Sequence, residues 1–176
     1  EVYLGIENAK PSLLTKEVAS LIAEYLPGAV LHIGVETGDE EHSRMLGRPS
    51  TPKEALRAIE RAISSGLRVY AYFIHGLPGQ TLRTAKRTVY MIEKLYELGV
   101  EKVTVYRFKP LPGSAFWGMP EGPSASKDRA SSMIESAARE FNIRRKKEMV
   151  GRRVEALLAP GRYRGRRVAY PLSEGP

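Results

Sequence analysis

Cysteine is absent from all 176 residues. Disulfides, zinc knuckles, thiol nucleophiles and thiolate-held iron-sulfur clusters are thereby excluded from this chain. Histidine occurs only three times. His32, His42 and His75 stand too far apart in sequence to suggest a metal triad, and no His-x3-His or Glu-x2-His pair occurs, so no metal site is expected. Long apolar runs are also missing. Stretches such as Ala71 to Ile74 fall far short of the ~20 residues that cross a bilayer, and no membrane span is expected. Neither a Ser-centred nucleophile elbow nor a close pair of catalytic carboxylates stands out, so no residue is singled out as catalytic. Glu1 leads directly into the strand-like Val2 to Ile6 with no initiator Met, basic leader or cleavage site. The chain therefore reads as a piece of a longer cytoplasmic protein.

What remains is a composition of 42% hydrophobic and 27% charged residues, that of a globular domain. The length fits one domain of ~100 to 200 residues and is short of the ~250 of a complete eight-stranded α/β barrel. The net charge of +8 is concentrated: residues 126–176 carry 13 Lys+Arg against 6 Asp+Glu, whereas residues 1–125 carry 15 against 14. Such a basic segment fits a polyanion partner, with nucleic acid first.

Apolar runs at Val2 to Ile6, Ala29 to Val35, Leu67 to Ile74 and Val103 to Phe108 are too short for free helices and read as four strands. Between the first two, Val18, Leu21, Ile22 and Tyr25 mark one face of a helix that Pro27-Gly28 stops. Thr51-Pro52-Lys53-Glu54 is a capping box that opens a second helix, which Gly66 ends. A third helix spans about Leu82 to Leu98, with Ala85, Val89 and Ile92 on one face. Strands separated by helical crossovers, with no two-residue hairpin turn between them, pair in parallel. On the second strand Leu31, Ile33 and Val35 alternate with His32, Gly34 and Glu36, and on the first strand Gly5 and Glu7 share a face. One polar face favours an open piece of a (β/α) TIM-type barrel over a sheet covered on both sides.

The segment from Lys109 to Ser126 is rich in Gly, Pro and Ser and places a boundary between units 1–125 and 126–176. Residues 127–149 read as a helix with Met133, Ile134, Ala137, Ala138 and Phe141 inward, followed by β-like Arg153 to Leu158 and Arg166 to Tyr170 joined through Ala159-Pro160-Gly161. Trp117 reads as a hydrophobic plug beside Phe116. Glu36, at a strand end, either accepts hydrogen bonds from a ribose or an amine, or pairs with Arg44 or Arg48.

The ordered motifs Gly34-x-Glu36-Thr37-Gly38, Arg48 with Thr51-Pro52, Phe73 to Thr81 (Phe-Ile-His-Gly-Leu-Pro-Gly-Gln-Thr) and Tyr106-x-Phe108-x-Pro110-Leu111-Pro112-Gly113-Ser114-Ala115 resemble the C-terminal half of a radical S-adenosylmethionine (SAM) enzyme core. The methylthiotransferase and cobalamin-linked branches are nearest; Thr37 stands where they have Ser, Gly47 differs before the arginine, and Gln80 replaces Glu. The resemblance implies a SAM cavity in which Glu36 meets the ribose or methionyl part and Arg48 the carboxylate. His75, Gly76, Leu77 and Pro78, with the backbone of Tyr106 to Phe108, would border the adenine. It further implies a 4Fe-4S cluster whose Cys-x3-Cys-x2-Cys loop lies in an upstream half of the same protein. Residues 142–158 resemble the entry into a TRAM module, a small RNA-binding β-barrel. RNA, tRNA included, is the implied partner, held by Arg144, Arg145, Lys146, Lys147, Arg152, Arg153, Arg162, Arg164, Arg166 and Arg167. Two other readings of the residues stay open: a stand-alone RNA-binding module without catalysis, and a phosphosugar enzyme using the His75 loop as an anion site.

Overall fold

The computed structural model describes residues 5–6 and 8–171. Four parallel strands, β1 (Gly5–Ile6), β2 (Val30–Glu36), β3 (Arg68–His75) and β4 (Lys102–Arg107), lie in the order β1-β2-β3-β4. Helix α1 (Lys16–Tyr25) connects β1 to β2, α2 (Glu40–Met45) and α3 (Pro52–Ser64) connect β2 to β3, and α4 (Leu82–Leu98) connects β3 to β4. A sheet wound steadily in one direction lacks the strand-order reversal of doubly wound folds, so its right-handed crossovers all return on one face. The result is a partial (β/α) barrel of parallel strands. Glu7 lies outside the described residues, so the face it was expected to share with Gly5 is not described.

Strict alternation decides which side is core. Leu31, Ile33 and Val35 of β2, Val69, Ala71 and Phe73 of β3, and Val103 of β4 are buried beneath the helices, whereas the side chains between them point to the other face. The Thr51 capping box forms as expected, and Gly66 takes a positive φ of 82° just past the α3 terminus. On α3 the buried stripe is Ala55, Ala58, Ile59 and Ala62, with Leu56 and Ile63 at its margin, because alanines let the helix approach the sheet closely. The face expected on α1 is corrected: Val18, Leu21 and Tyr25 are exposed, and Ala19, Ile22, Ala23 and Leu26 pack on the core. That second stripe has the same i, i+3, i+4, i+7 spacing, so bulk was the wrong criterion where a small residue allowed closer contact.

Residues 109–128 form turns only. Trp117 is 63% exposed and plugs nothing; Phe116 alone packs edge-on against Phe108. Helix α5 (Arg129–Glu148) then places Ala130, Ile134, Ala138 and Phe141 in the same core as the sheet. Its Asn142 amide donates to Val103 O at 2.7 Å and accepts from Val103 N at 3.1 Å. A side chain thus satisfies the outer edge of β4 as another strand would.

The last elements, β5 (Ala156–Tyr163) and β6 (Arg166–Pro171), form an antiparallel ribbon. Its turn is Arg164-Gly165, with φ of 49° and 77°, the pair of positive values that a type I′ hairpin requires. The expected turn at Ala159-Pro160-Gly161 instead lies inside β5, where the register shifts between Leu158 and Arg162. An arginine in a left-handed conformation carries no turn signal in the sequence, so the Pro-Gly pair was the more visible candidate.

Candidate functional site

The end of β2 is bent by its own backbone. The register with β3 shifts between Gly34 and Glu36, and Thr37 N donates to Val35 O at 2.8 Å. This closes a γ-turn around Glu36, whose φ of 66° puts a non-glycine residue in the rare, strained form of that turn. The bend carries the carboxylate back over Gly34, where a Cβ would lie 2.7 Å from Glu36 Oε1. Arg48 Nη2 meets that oxygen at 2.9 Å. Of the two arginines open to Glu36, the fold uses Arg48. Burial raises the Glu36 pKa above its ordinary 4.5, and the Arg48 charge opposes the rise.

A buried polar chain holds this bend. Thr37 Oγ1 lies 3.1 Å from His42 Nδ1, and His42 Nε2 lies 2.9 Å from Pro78 O. A carbonyl can only accept, so Nε2 carries the hydrogen and, in the neutral ring, Nδ1 accepts from the Thr37 hydroxyl. Gly38 N donates to Thr88 Oγ1 at 2.9 Å, and Thr88 Oγ1 donates to Thr84 O at 3.0 Å. His42 thereby ties the loop after β2 to the loop after β3. Helix α2, which carries it, is too short to show periodicity and gave no sequence signal beyond its Asp39 cap and acidic first turn.

The helix-free face of the sheet holds two adjoining hollows. One, of about 340 Å³, is lined by Asn8, His32, Gly34, Glu36, Tyr72, Ile74 and Tyr106. The rings on this wall are in file: His32 stacks on Tyr70 with centroids 5.3 Å apart, Tyr72 stacks on Tyr106 at 6.0 Å, and Tyr72 Oη is 3.1 Å from His32 Nδ1. The second hollow, of about 330 Å³, lies between Glu36, Arg48 and Ile74 and an apolar side made by Leu46, Leu77, Phe108 and Phe116. Glu36 and Ile74 belong to both.

The structure brings Glu36, Arg48, Leu77, Tyr106 and Phe108 to these hollows. It does not bring the His75 imidazole, which is buried on the helix side of β3 with no partner for Nδ1. Burial lowers its pKa, against the raising effect of Glu135. Gly76 packs so closely on Gly122 that an added Cβ would lie 2.9 Å from Gly122 Cα, and the Pro78 carbonyl is taken by His42. The loop offers a phosphosugar little, because Gly76 N already donates to Gln80 Oε1 at 2.9 Å and Thr81 caps α4. Sequence reasoning missed Ile74, Tyr72, Leu46 and Arg107 as lining residues. The period-2 rule could have found the first two, since both share the Tyr70 face of β3.

The basic residues divide into two groups. Arg144 pairs with Glu93 at 2.8 Å and its guanidinium lies 3.6 Å from the centre of the Tyr96 ring. Arg145 pairs with Glu148 at 3.0 Å and donates to Val100 O at 2.8 Å. These two fasten α5 to α4. Lys146, Lys147, Arg152, Arg153, Arg162, Arg164, Arg166 and Arg167 are exposed.

Residues 8–92 match the family profile described as the radical SAM superfamily. The match takes in just under half of the chain, including β2, β3 and the Glu36 turn. The chain is 46% identical to an uncharacterized protein of Methanopyrus kandleri over 98% of its own length and 34% of that protein. It is 27% identical to the threonylcarbamoyladenosine tRNA methylthiotransferase MtaB of Thermotoga maritima over 72% of its length and 29% of that enzyme. It spans about a third of the length of the curated relatives it matches. Among solved structures it resembles archaeal Elp3 of Methanocaldococcus infernus, with a TM-score of 0.61 and 20% identity over 78% of this chain and 32% of that one. Coproporphyrinogen III oxidase of Escherichia coli, a radical SAM enzyme, gives a TM-score of 0.61 and 20% identity over 82% and 32%. The likeness to both establishes the fold.

The radical SAM superfamily implies SAM and a 4Fe-4S cluster. With no cysteine, this chain offers such a cluster no thiolate, and among the described residues no group of three His or carboxylate ligands gathers. For SAM the fit is better: a partly buried carboxylate on a strained turn beside an arginine, with an apolar wall within the same hollow. No helix among the described residues is long and apolar enough to cross a membrane.

Gln80 now has a physical role. Its Nε2 donates to Ser131 Oγ at 3.0 Å and Asp128 Oδ2 at 3.3 Å, joining the loop after β3 to the start of α5. A glutamate there would lose both donors and face the Asp128 carboxylate. Gln80→Glu is expected to cost about 1 kcal/mol at neutral pH and less in acid, measured by denaturant melts at pH 7 and pH 4; equal stability at both would show that the amide bridge contributes nothing.

Proposed function

We propose that the helix-free face is one wall of the SAM and substrate cavity of a cytoplasmic radical SAM enzyme that modifies RNA, with tRNA the favoured substrate. The observation that carries this reading is the Glu36 turn: backbone strain is tolerated to aim a partly buried carboxylate into a hollow. Glu36 would accept hydrogen bonds from ribose hydroxyls or the ammonium of SAM, and Arg48 would receive its carboxylate. Leu77, Phe108 and the backbone of residues 106–108 would border the adenine and exclude water. SAM bound beside a reducing cluster supplies one-electron chemistry; the thiolates for that cluster would come from another part of the same protein. In this assignment residues 1–125 are the barrel segment, and the exposed ribbon after α5 begins an RNA-binding, TRAM-like unit. Arg162 and Arg167 face each other directly across that ribbon, a like-charge pair that costs stability unless an anion such as phosphate lies between them.

The test is calorimetric titration of the cluster-loaded full-length protein with SAM. Glu36→Gln is expected to weaken binding at least about tenfold, since hydrogen bonds to a charged group contribute ~1.5–3 kcal/mol. It should also reveal the cost of the site. The folded chain holds the Glu36 proton more tightly than the unfolded chain does, so this carboxyl contributes stability below pH 4.5 and loses it as pH rises through the raised folded value. Glu36→Gln, which cannot ionise, should therefore melt higher than the wild type at pH 7, with the gap closing in acid. Unchanged SAM affinity would remove Glu36 from the site.

A further inference from the structure

A second hollow system lies on the opposite, helix-bearing side of the molecule. It is a trough of about 460 Å³ between α2 and α3 on one wall and α4 on the other. Its α4 wall is Arg83, Arg87, Tyr90 and Lys94, spaced 4, 3 and 4 residues apart. That spacing places them in one straight stripe along the helix, ~16 Å long at 1.5 Å per residue. Arg44 and Lys53 face them from α2 and α3, and the floor is Leu56 and Met91.

The trough's own carboxylates are spoken for. Asp39 accepts from His42 N at 2.9 Å, Glu40 accepts from Lys53 N at 2.8 Å, and Glu41 pairs with Arg83 at 2.7 Å. Arg44, Arg87 and the Lys53 ammonium are exposed and pair with no carboxylate among the described residues. Tyr90, 61% exposed, lines the same trough, with Lys94 Nζ 5.6 Å from the centre of its ring. Unpaired cations on both walls, an open aromatic ring and an apolar floor form the surface that single-stranded nucleic acid prefers: phosphates track the charge and bases stack on rings. None of these residues touches the hollows beside Glu36.

We propose that this trough is a second RNA-binding surface, holding two or three phosphates of a single-stranded stretch while Tyr90 stacks a base. The proposal rests on the reading of the substrate as RNA and concerns a face remote from the SAM cavity. It gives the barrel segment, whose net charge is nearly zero, its own hold on RNA.

The test is fluorescence anisotropy of the full-length protein with labelled tRNA and a labelled oligouridylate between 50 and 200 mM salt. Arg44→Ala/Arg87→Ala is expected to weaken binding to both about tenfold at low salt. It should also make the slope of log affinity against log salt shallower by about 1 to 2, one unit or slightly less per lost phosphate contact. Tyr90→Ala is expected to cost about five- to tenfold with no change in slope, whereas Tyr90→Phe restores binding. All three variants should melt with the wild type and bind SAM as it does. Unchanged RNA affinity and slope in Arg44→Ala/Arg87→Ala would overturn the proposal while leaving the SAM site standing. So would a wild type that binds no RNA, or an equal loss of binding to polyglutamate, which would mark the trough as a general polyanion surface.

Discussion

Phe141→Ala is expected to destabilise the protein by about 3–5 kcal/mol, the cost of emptying a fully buried aromatic site. Phe141 is 0% exposed and stands edge-on to Tyr96 at 5.4 Å, with the Arg145 guanidinium 5.5 Å from its ring. It is the largest side chain that α5 contributes to the core. Around it, Asn142 caps β4, Arg144 and Arg145 grip α4, and the Tyr96 hydroxyl bonds Glu148. Loss of the ring leaves those polar clasps holding a helix over a cavity. The melting temperature should fall by about 10 °C or more, and amides of α5 should lose exchange protection before those of β3. A fall of under about 1 kcal/mol would mean that α5 is a separate unit lying loosely on the sheet.

Gly38→Ala is expected to cost about 1–3 kcal/mol or more and to weaken SAM binding with it. An added Cβ would lie 2.5 Å from Arg87 O and 2.7 Å from Thr88 Cα. Both are backbone atoms of α4, which cannot rotate aside as a side chain could. Either the loop or the helix must retreat, and the Gly38 N to Thr88 Oγ1 bond of 2.9 Å stretches as it does. Because the loop is the continuation of the Glu36 turn, the carboxylate should leave Arg48. Gly161→Ala, with nothing within 4 Å of its Cβ, is the control. Equal melting temperatures for the two variants would contradict the close approach of loop and helix.

The course of the backbone was legible because its signals are local. Capping boxes, strand alternation and the Gly-rich strand ends depend on neighbouring residues, and they located the three long crossover helices and strands β2 to β4 to within a residue or two. The polar face of β2, which ends on Glu36, was legible for the same reason, whereas Arg48 was named beside it through the family resemblance. Where two stripes competed, as on α1, or where an arginine took a left-handed turn, local signals ran out. His75 shows the limit most plainly: its loop borders the site, but strand parity turns its ring away.

The sequence by itself determined an α/β chain of parallel strands without a cysteine ligand for a cluster, a basic C-terminal third and the places of the motif residues at the strand ends, since each follows from composition or from spacing along the backbone. Only the tertiary structure decided that Glu36 chooses Arg48 over Arg44, that Arg144 and Arg145 serve packing, and that α2, α3 and α4 frame a cationic trough. Those outcomes depend on which distant residues the folded backbone brings within a few ångströms, and contact chemistry at that range leaves no periodic trace in the chain.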